Sequence, residues 1–287
     1  MKYWFMDQHR SSHGVQKMCR VLGVSRSGYY RWKKKPECKR KKENDKILVK
    51  VKEFYQRSDR TYGSPRITKD LRADGDMYGE NRIARLMREN EIMAKTVRKF
   101  KTTTNSKHNL PVAENLLKQD FTAEQPNTVW VSDITYIPTL EGWLYLVVIL
   151  DVFSRQVVGW AMSKRLTADF VVRALYQAVG RRKPEAGCIL HSDQGVQYAC
   201  MDFVSVLKQY GFLQSMSRRG NCYDNALAES FFKTLKTEQV YHCRYETRNE
   251  ARQSIFKYIE RFYNRQRRHS ALGYLSPVAF ELEAVAA

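Results

Sequence analysis

VWVSDITYI (129–137) is dense in β-branched and aromatic residues, which predicts a strand. Strand side chains alternate, so Asp133 shares one face with Val129, Val131, Thr135 and Ile137. A carboxylate in that company is costly unless it is paired or holds a metal. Working outward, WLYLVVIL (143–150) is a continuous apolar run and predicts a buried central strand, and RQVVGWAM (155–162) predicts a third. Short turns join these three, so they form an antiparallel meander. The pattern then alternates: a helix over 167–180, a strand over 187–192, a helix over 199–210 and a short strand over 212–217. Long helical patterns fill 224–242 and 247–264. Three strands followed by alternating helix and strand predict an α/β class, a mixed five-stranded sheet flanked by helices on both faces.

Two further carboxylates belong with Asp133. Asp193 stands in CILHSDQG, where the apolar run stops and Gly195 opens a turn, and ligand groups in such sheets gather at strand ends. Glu229 lies on the helical pattern NALAESFFKTLK between Leu227 and Phe231. A mid-strand Asp, a strand-end Asp and a helical Glu can meet at one sheet edge. Hard oxygen ligands suit Mg²⁺ or Mn²⁺ without any His or Cys. Two ions about 4 Å apart would activate an attacking oxygen and stabilise a leaving one at phosphorus. Lys236 follows Glu229 by nearly two helical turns, on the same face about 10 Å along the axis, with Lys233 between them. Both are candidate contacts to DNA beside the reacting bond.

Charge points to a polyanion as the partner. The chain has 50 Lys and Arg against 30 Asp and Glu, and the excess is lopsided: residues 1–110 carry 29 basic and 12 acidic side chains, residues 111–287 carry 21 and 18. Each cation that neutralises a phosphate releases a counterion, so the basic front favours nucleic acid. Within it, Val15, Met18, Cys19 and Leu22 fall at helical spacing, Gly23 breaks the helix, and Ser25 is placed to cap a second helix reaching about Lys35. That is the outline of a helix-turn-helix. KRKKENDK (39–46) reads as a charged link, Asn44 to Ser58 as an amphipathic helix, and two more helices follow, one opened by Pro65 and one running from about Gly79 to Asn90. Arg82 and Arg85 on the last of these are candidate DNA contacts. Residues 101–118 lose periodicity and read as a linker.

Other classes fall away. The longest apolar run, Trp143 to Leu150, is far shorter than the ~20 residues of a membrane span, and no signal-peptide pattern opens the chain, so a cytoplasmic protein is expected. Six cysteines lie scattered with no CxxC pair, as expected for reduced thiols.

Asp133, Asp193 and, after 35 intervening residues, Glu229 resemble the DDE signature of retroviral integrases and related transposases. The words around them sharpen the resemblance: WVSDITYI, LDVFSR, HSDQGVQY, SRRGNCYDNALAESFFKTLK and NRQRRHSALGYLSP. Together, over essentially the whole chain, they resemble the second-reading-frame (OrfB) product of the insertion-sequence-three family of bacterial mobile elements. The resemblance implies an RNase H-like core with Asp133, Asp193 and Glu229 as catalytic and metal-binding triad. It implies metal-dependent DNA strand cleavage and 3′-OH strand transfer, acting on the element's terminal inverted repeats and on target DNA. It further implies a homo-oligomer on paired ends and a fusion with the upstream reading-frame product. The expected organisation is a helix-turn-helix over 1–40, a second such domain over 41–100, a linker over 101–124, the catalytic core over 125–245 and a helical extension over 246–287. Arg268 and His269, in the terminal basic motif, are candidate DNA contacts. Asp151 is expected to pair with Arg155, and Asp224 to cap the helix that carries Glu229. Asn221 and Asn225 are weighed as contacts to DNA near the site.

Overall fold

A computed structural model describes residues 1–34, 39–95, 112–218 and 222–286. The chain divides into two compact units, Met1–Glu53 and Phe54–Ala287.

In the first unit, α1 (Lys2–Gln8), α2 (Val15–Leu22) and α3 (Arg26–Lys34) close over Met6, Met18, Cys19 and Tyr29. Gly23 takes the left-handed conformation (φ 63°) that ends α2. The Gly28 N–H donates to Ser25 Oγ at 3.0 Å, so Ser25 caps α3 as its position suggests. Tyr29 donates from its hydroxyl to Asp7 at 2.8 Å, which draws α1 into this core; α1 itself carries no periodic signal that would announce it. KRKKENDK is not a link. It forms the opening turns of α4 (Lys39–Arg57), because Lys, Arg and Glu are strong helix formers and charge alone does not break a helix.

The second unit begins within α4 and continues with α5 (Ser64–Ala73) and α6 (Glu80–Glu89), whose Ile67, Leu71, Ile83, Leu86 and Met87 are buried. Its main body is one sheet in the order β3-β2-β1-β4-β5: β1 (Val129–Thr139), β2 (Gly142–Asp151), β3 (Val157–Ser163), β4 (Ile189–Ser192) and β5 (Leu213–Met216). The first three strands are antiparallel, and β4 joins β1, and β5 joins β4, in parallel. The mixed five-stranded sheet is the one expected, and its strand order is that of an RNase H-like fold.

Each face has its own core. Val131 and Ile137 on β1, with Leu144, Leu146 and Val148 on β2, pack against Leu227, Phe231 and Leu235 of α10 (Ala226–Glu238) and Ile255 of α11 (Arg248–Phe256). On the opposite face Trp130, Val147 and Ile149 meet Phe170, Ala174 and Leu175 of α7 (Ala168–Arg182), together with the short α8 (Val196–Ala199) and α9 (Met201–Gln209). β3 and α7 approach so closely that a Cβ at Gly159 would stand 2.4 Å from the Ala174 carbonyl, so only glycine fits there. After α11 the chain continues through a π-helical stretch, Lys257–Tyr263, to α12 (Pro277–Ala286).

The expected linker is corrected at its far end. Residues 101–111 lie outside the described residues, but beyond them the Leu116 N–H donates to Ser215 Oγ, Met216 N–H donates to the Glu114 carbonyl, and Leu117 is buried. The segment covers the edge strand β5, which would otherwise present unpaired backbone groups. Asp151 is corrected too. Its buried carboxylate accepts from the Asn127 and Phe153 N–H groups and pairs with Arg182, 3.6 Å away, not with the Arg155 side chain. Arg182 also forks onto Glu281 at 2.7 and 2.9 Å, tying α12 to the sheet. Among the described residues no helix is long and apolar enough to cross a membrane.

Candidate active site

The site follows from strand register. β1 and β4 run parallel with Val131 beside His191, so two residues further on Asp133 faces the position of Asp193, where β4 has just ended. Asp133 points to the face covered by α10, and Glu229 is one turn into that helix. The Asp133 carboxylate accepts from the Ile134 N–H at 2.7 Å, and Asp193 accepts from the Gly195 N–H at 3.0 Å, which fixes the turn leaving β4.

The electrostatics place these groups together. Burial pushes the Asp133 carboxyl well above the usual carboxylate range. Repulsion from Asp193 raises it further and Glu229 adds to it, while the Ile134 hydrogen bond and Lys236 act in the opposite sense. Glu229 is raised by burial. Lys236 is lowered by burial against the attraction of Asp133. Four of the expected site residues therefore share one region. They do not yet form a cage: among the described residues no three of His, Cys, Asp or Glu are close enough to hold one ion. The Glu229 side chain is exposed on its helix, with partial burial of its carboxyl behind the upward shift. Lys233 is exposed one turn before Lys236, directed to solvent.

The surroundings hold this arrangement. Ser132, beside Asp133, exchanges a 2.8 Å hydrogen bond with the buried Tyr198 hydroxyl and donates to the Val148 carbonyl. Asn225, at the start of α10, donates to the Ser132 carbonyl at 3.2 Å and so links the Glu229 helix to the Asp133 strand. It is buried, which favours that structural task over direct DNA contact; Asn221 lies outside the described residues. His191 is also buried, hydrogen-bonded to Ser215 at 2.8 Å and held neutral by burial. Asp224 does not cap α10. It is fully buried and accepts from Asn115, Gln119 and the Arg218 backbone and guanidinium, all between 2.8 and 3.0 Å. Sequence reasoning missed this clasp, since Asn115 and Gln119 are more than 100 residues away along the chain.

Arg268 and His269 are engaged within the fold. Arg268 donates to Asp70 at 2.5 Å and to the Tyr274 carbonyl, and the Tyr62 hydroxyl donates to neither side chain but accepts from the Arg268 N–H. His269 sits against Tyr263 and Arg267, and burial with the nearby Arg267, Arg66 and Arg155 pushes it down to about 3. A neutral imidazole offers no charge to a phosphate. Arg82 lies over the Tyr78 ring and Arg85 reaches Glu89 at 3.8 Å; both stand half-exposed on α6.

Residues 123–222 match the integrase core domain family, residues 210–277 a second integrase core domain family, and residues 42–100 the HTH-like domain family. The chain is 43% identical over 291 residues to Transposase InsF for insertion sequence IS3A of Escherichia coli (strain K12), covering 98% of each. The chain belongs to the IS3 transposase family. A second relative, the insertion element IS600 uncharacterized 31 kDa protein of Shigella sonnei, is 49% identical over 263 residues, 92% of this chain and 97% of that one. Among solved structures, the HTLV-2 integrase catalytic core domain in complex with magnesium aligns with a TM-score of 0.43 and 17% identity over 56% of this chain and 99% of that chain. As a member of the IS3 transposase family this protein is a DNA transposase, a DDE-type polynucleotidyl transferase whose partner is DNA.

Proposed function

We propose that Asp133, Asp193 and Glu229 are the catalytic residues of this transposase and hold two divalent ions, Mg²⁺ or Mn²⁺. The observation that carries the reading is the parallel register of β1 and β4, which sets Asp133 beside the position of Asp193 with Glu229 on the helix packed against that face; the raised Asp133 carboxyl agrees with it. Such a cluster is unfavourable by itself and is relieved by hard cations, and its all-oxygen donor set fits Mg²⁺ or Mn²⁺. When bound, the ions supply an activated attacking oxygen and a stabilised leaving oxygen for displacement at phosphorus. The chain's own residues do the rest. β1 and the turn that leaves β4 carry the two aspartates, and Glu229 on α10 would complete the set. Lys236, on the same helix, neutralises the phosphate next to the reacting bond, and Lys233 extends that cationic face. In the first reaction water attacks phosphorus and expels the 3′-oxygen, leaving a 3′-OH and a 5′-phosphate; in the second that 3′-OH attacks another phosphodiester and expels its 3′-oxygen, so one phosphodiester is exchanged for another. Neither forms a bond to the protein.

The DNA bound is the element's terminal inverted repeats and then target DNA, gripped by the front helices, with Arg82 and Arg85 on the second helix-turn-helix. Two ends must be held together, so the working form is a homo-oligomer, and fusion to the upstream reading-frame product completes it. Acting on chromosomal DNA places it in the cytoplasm.

The test compares wild type with Glu229→Gln on labelled element-end duplexes in Mg²⁺ or Mn²⁺. Wild type is expected to cut and join, and the variant to bind equally while losing on the order of a thousand-fold in rate, several kcal/mol of transition-state stabilisation. Equal cleavage by both would remove Glu229 from the reaction.

A further inference from the structure

The hairpin between β1 and β2 carries an aromatic pair that the core does not use. Tyr136 is three residues on from Asp133 and so on the opposite face of β1, reached from the Asp133 side by Lys236; Trp143 opens β2, and the two rings lie 4.8 Å apart at 78°. Trp143 is 50% exposed, although the strand it opens is buried from Leu144 onward. An indole left half in water forgoes a large burial gain, so its position calls for a second explanation.

The pair is held rigidly. Arg248 donates from Nε to the Trp143 carbonyl at 3.0 Å and from its backbone to Glu141 at 2.8 Å. The Leu140 N–H donates to the Tyr245 carbonyl, and Thr139 donates to the Gly142 carbonyl. These bonds fix the backbone of the tip that carries the indole.

A cation connects this pair to the carboxylates. Lys236 Nζ lies 5.2 Å from the Tyr136 ring centroid and is also attracted by Asp133. An exposed flat ring, one cation and then a phosphoryl-transfer site is the order in which a nucleotide presents base, phosphate and reacting bond. Stacking on an aromatic ring accepts any base, because every base has a π-face.

We propose that Trp143, backed by Tyr136, is a stacking platform for one unpaired base of the DNA strand beside the reacting phosphodiester, with Lys236 on the intervening phosphate; this rests on the carboxylate cluster being the reaction centre. The platform holds the strand end open, so the scissile phosphate is presented out of the duplex.

The test uses the full chain in the Glu229→Gln background, so that the DNA is not consumed, with fluorescent duplexes carrying the element's terminal repeat. A matched set has one abasic nucleotide at each successive position around the cut. Trp143→Ala is expected to weaken binding of the intact duplex roughly 5- to 150-fold, the range for losing one stacked base, and Trp143→Phe to retain most of it. At one abasic position next to the cut the Trp143→Ala loss should vanish, since the base it held is gone. An equal loss on every duplex, or no loss on any, overturns the proposal. Thermal melting of each variant separates a folding defect from a binding one. If the carboxylate reading fails, Glu229→Gln cuts as well as the intact protein; if only the platform fails, the intact protein cuts, Glu229→Gln does not, and no abasic position cancels the loss.

Discussion

Helix α10 and the turn before it carry two kinds of carboxylate. Asp224 and Glu238, at its two ends, are buried among arginines: Arg218 holds Asp224 well below the usual range, and Arg267 clamps Glu238 through contacts of 2.7 to 3.1 Å with Tyr258 adding another at 2.7 Å. Glu229, between them, and Asp133, under them, are instead pushed up. Carboxylates are thus pinned by arginines at both ends of the helix and, on the function proposed above, serve as reagents between and beneath them. The arginine partners fix where the helix lies. The raised cluster keeps its need for positive charge, which a ligand can satisfy.

The most severe way to break this contrast is to remove an anchor's partner. Arg267→Ala leaves Glu238 buried with only Arg66, 3.7 Å away, to oppose it. Removing one member of a buried pair costs about 3–5 kcal/mol, because the other charge stays buried. Urea unfolding should show that loss, and a value under 1 kcal/mol would mean that the pair adds little. Next in size comes a matched pair of neutralisations. Asp224→Asn gives up charge-assisted hydrogen bonds and should cost about 1–3 kcal/mol. Asp133→Asn removes a repelled carboxylate, keeps an acceptor for the Ile134 N–H, and should leave metal-free stability unchanged or higher. Destabilisation by both to the same extent would erase the distinction between anchor and reagent.

His269 sharpens the comparison through pH. Its folded value, pushed down to about 3 by burial and three arginines, lies well under the ~6.5 of an unfolded histidine. Between those limits the unfolded chain binds a proton that the folded chain refuses. The stability is therefore fully present above about pH 6.5 and is lost as pH falls toward 3, with a slope of at most about 1.4 kcal/mol per pH unit. Asp224, whose folded value is depressed, acts with the same sign but only below the ~4 of an unfolded aspartate. Chemical denaturation at pH 7, 6 and 5 of wild type and His269→Gln checks this: the variant should lose the slope in that window, whereas Asp224→Asn should keep it.

Which parts were legible in the sequence follows the range of the interactions. Strand patterns are local, so β1 to β5 read correctly; the 3-2-1-4-5 order then puts Asp133 and Asp193 not at a sheet edge but along the parallel pair β1 and β4 in its interior, with the Glu229 helix over that face. Asp133 stood out because a charged residue inside an apolar strand contradicts its surroundings. The anchors were not. NRQRRHSALGYLSP looks like a basic tail, yet the partner of Arg268 is Asp70, 198 residues away, and Glu238 is 29 residues from Arg267. Charge composition reports how many arginines there are, not which of them a distant carboxylate has already taken. The opening turns of α4 misled for a related reason, since a charged run can be a solvated helix as readily as a link. Trp143 read as the start of a buried strand because periodicity carries no information about where burial begins.

The smallest expected effect separates two arginines that composition treats alike. Arg85 stands half-exposed on α6, with only a 3.8 Å approach to Glu89, so its charge is available to a phosphate. Arg268 is held by Asp70 and the Tyr274 carbonyl, with its side chain 22% exposed. If Arg85 contacts the DNA backbone, Arg85→Ala should weaken duplex binding similarly across sequences and lower the slope of log affinity against log salt by about 1, with thermal stability unchanged. Arg268→Ala should do the reverse, leaving the salt slope intact and lowering stability by about 1–3 kcal/mol, because Asp70 loses its partner in a partly buried site. Salt titrations and melting curves on the two variants decide it. A salt-slope change from Arg268→Ala would put the terminal basic motif back on DNA, and a stability loss from Arg85→Ala would make α6 an anchor as well.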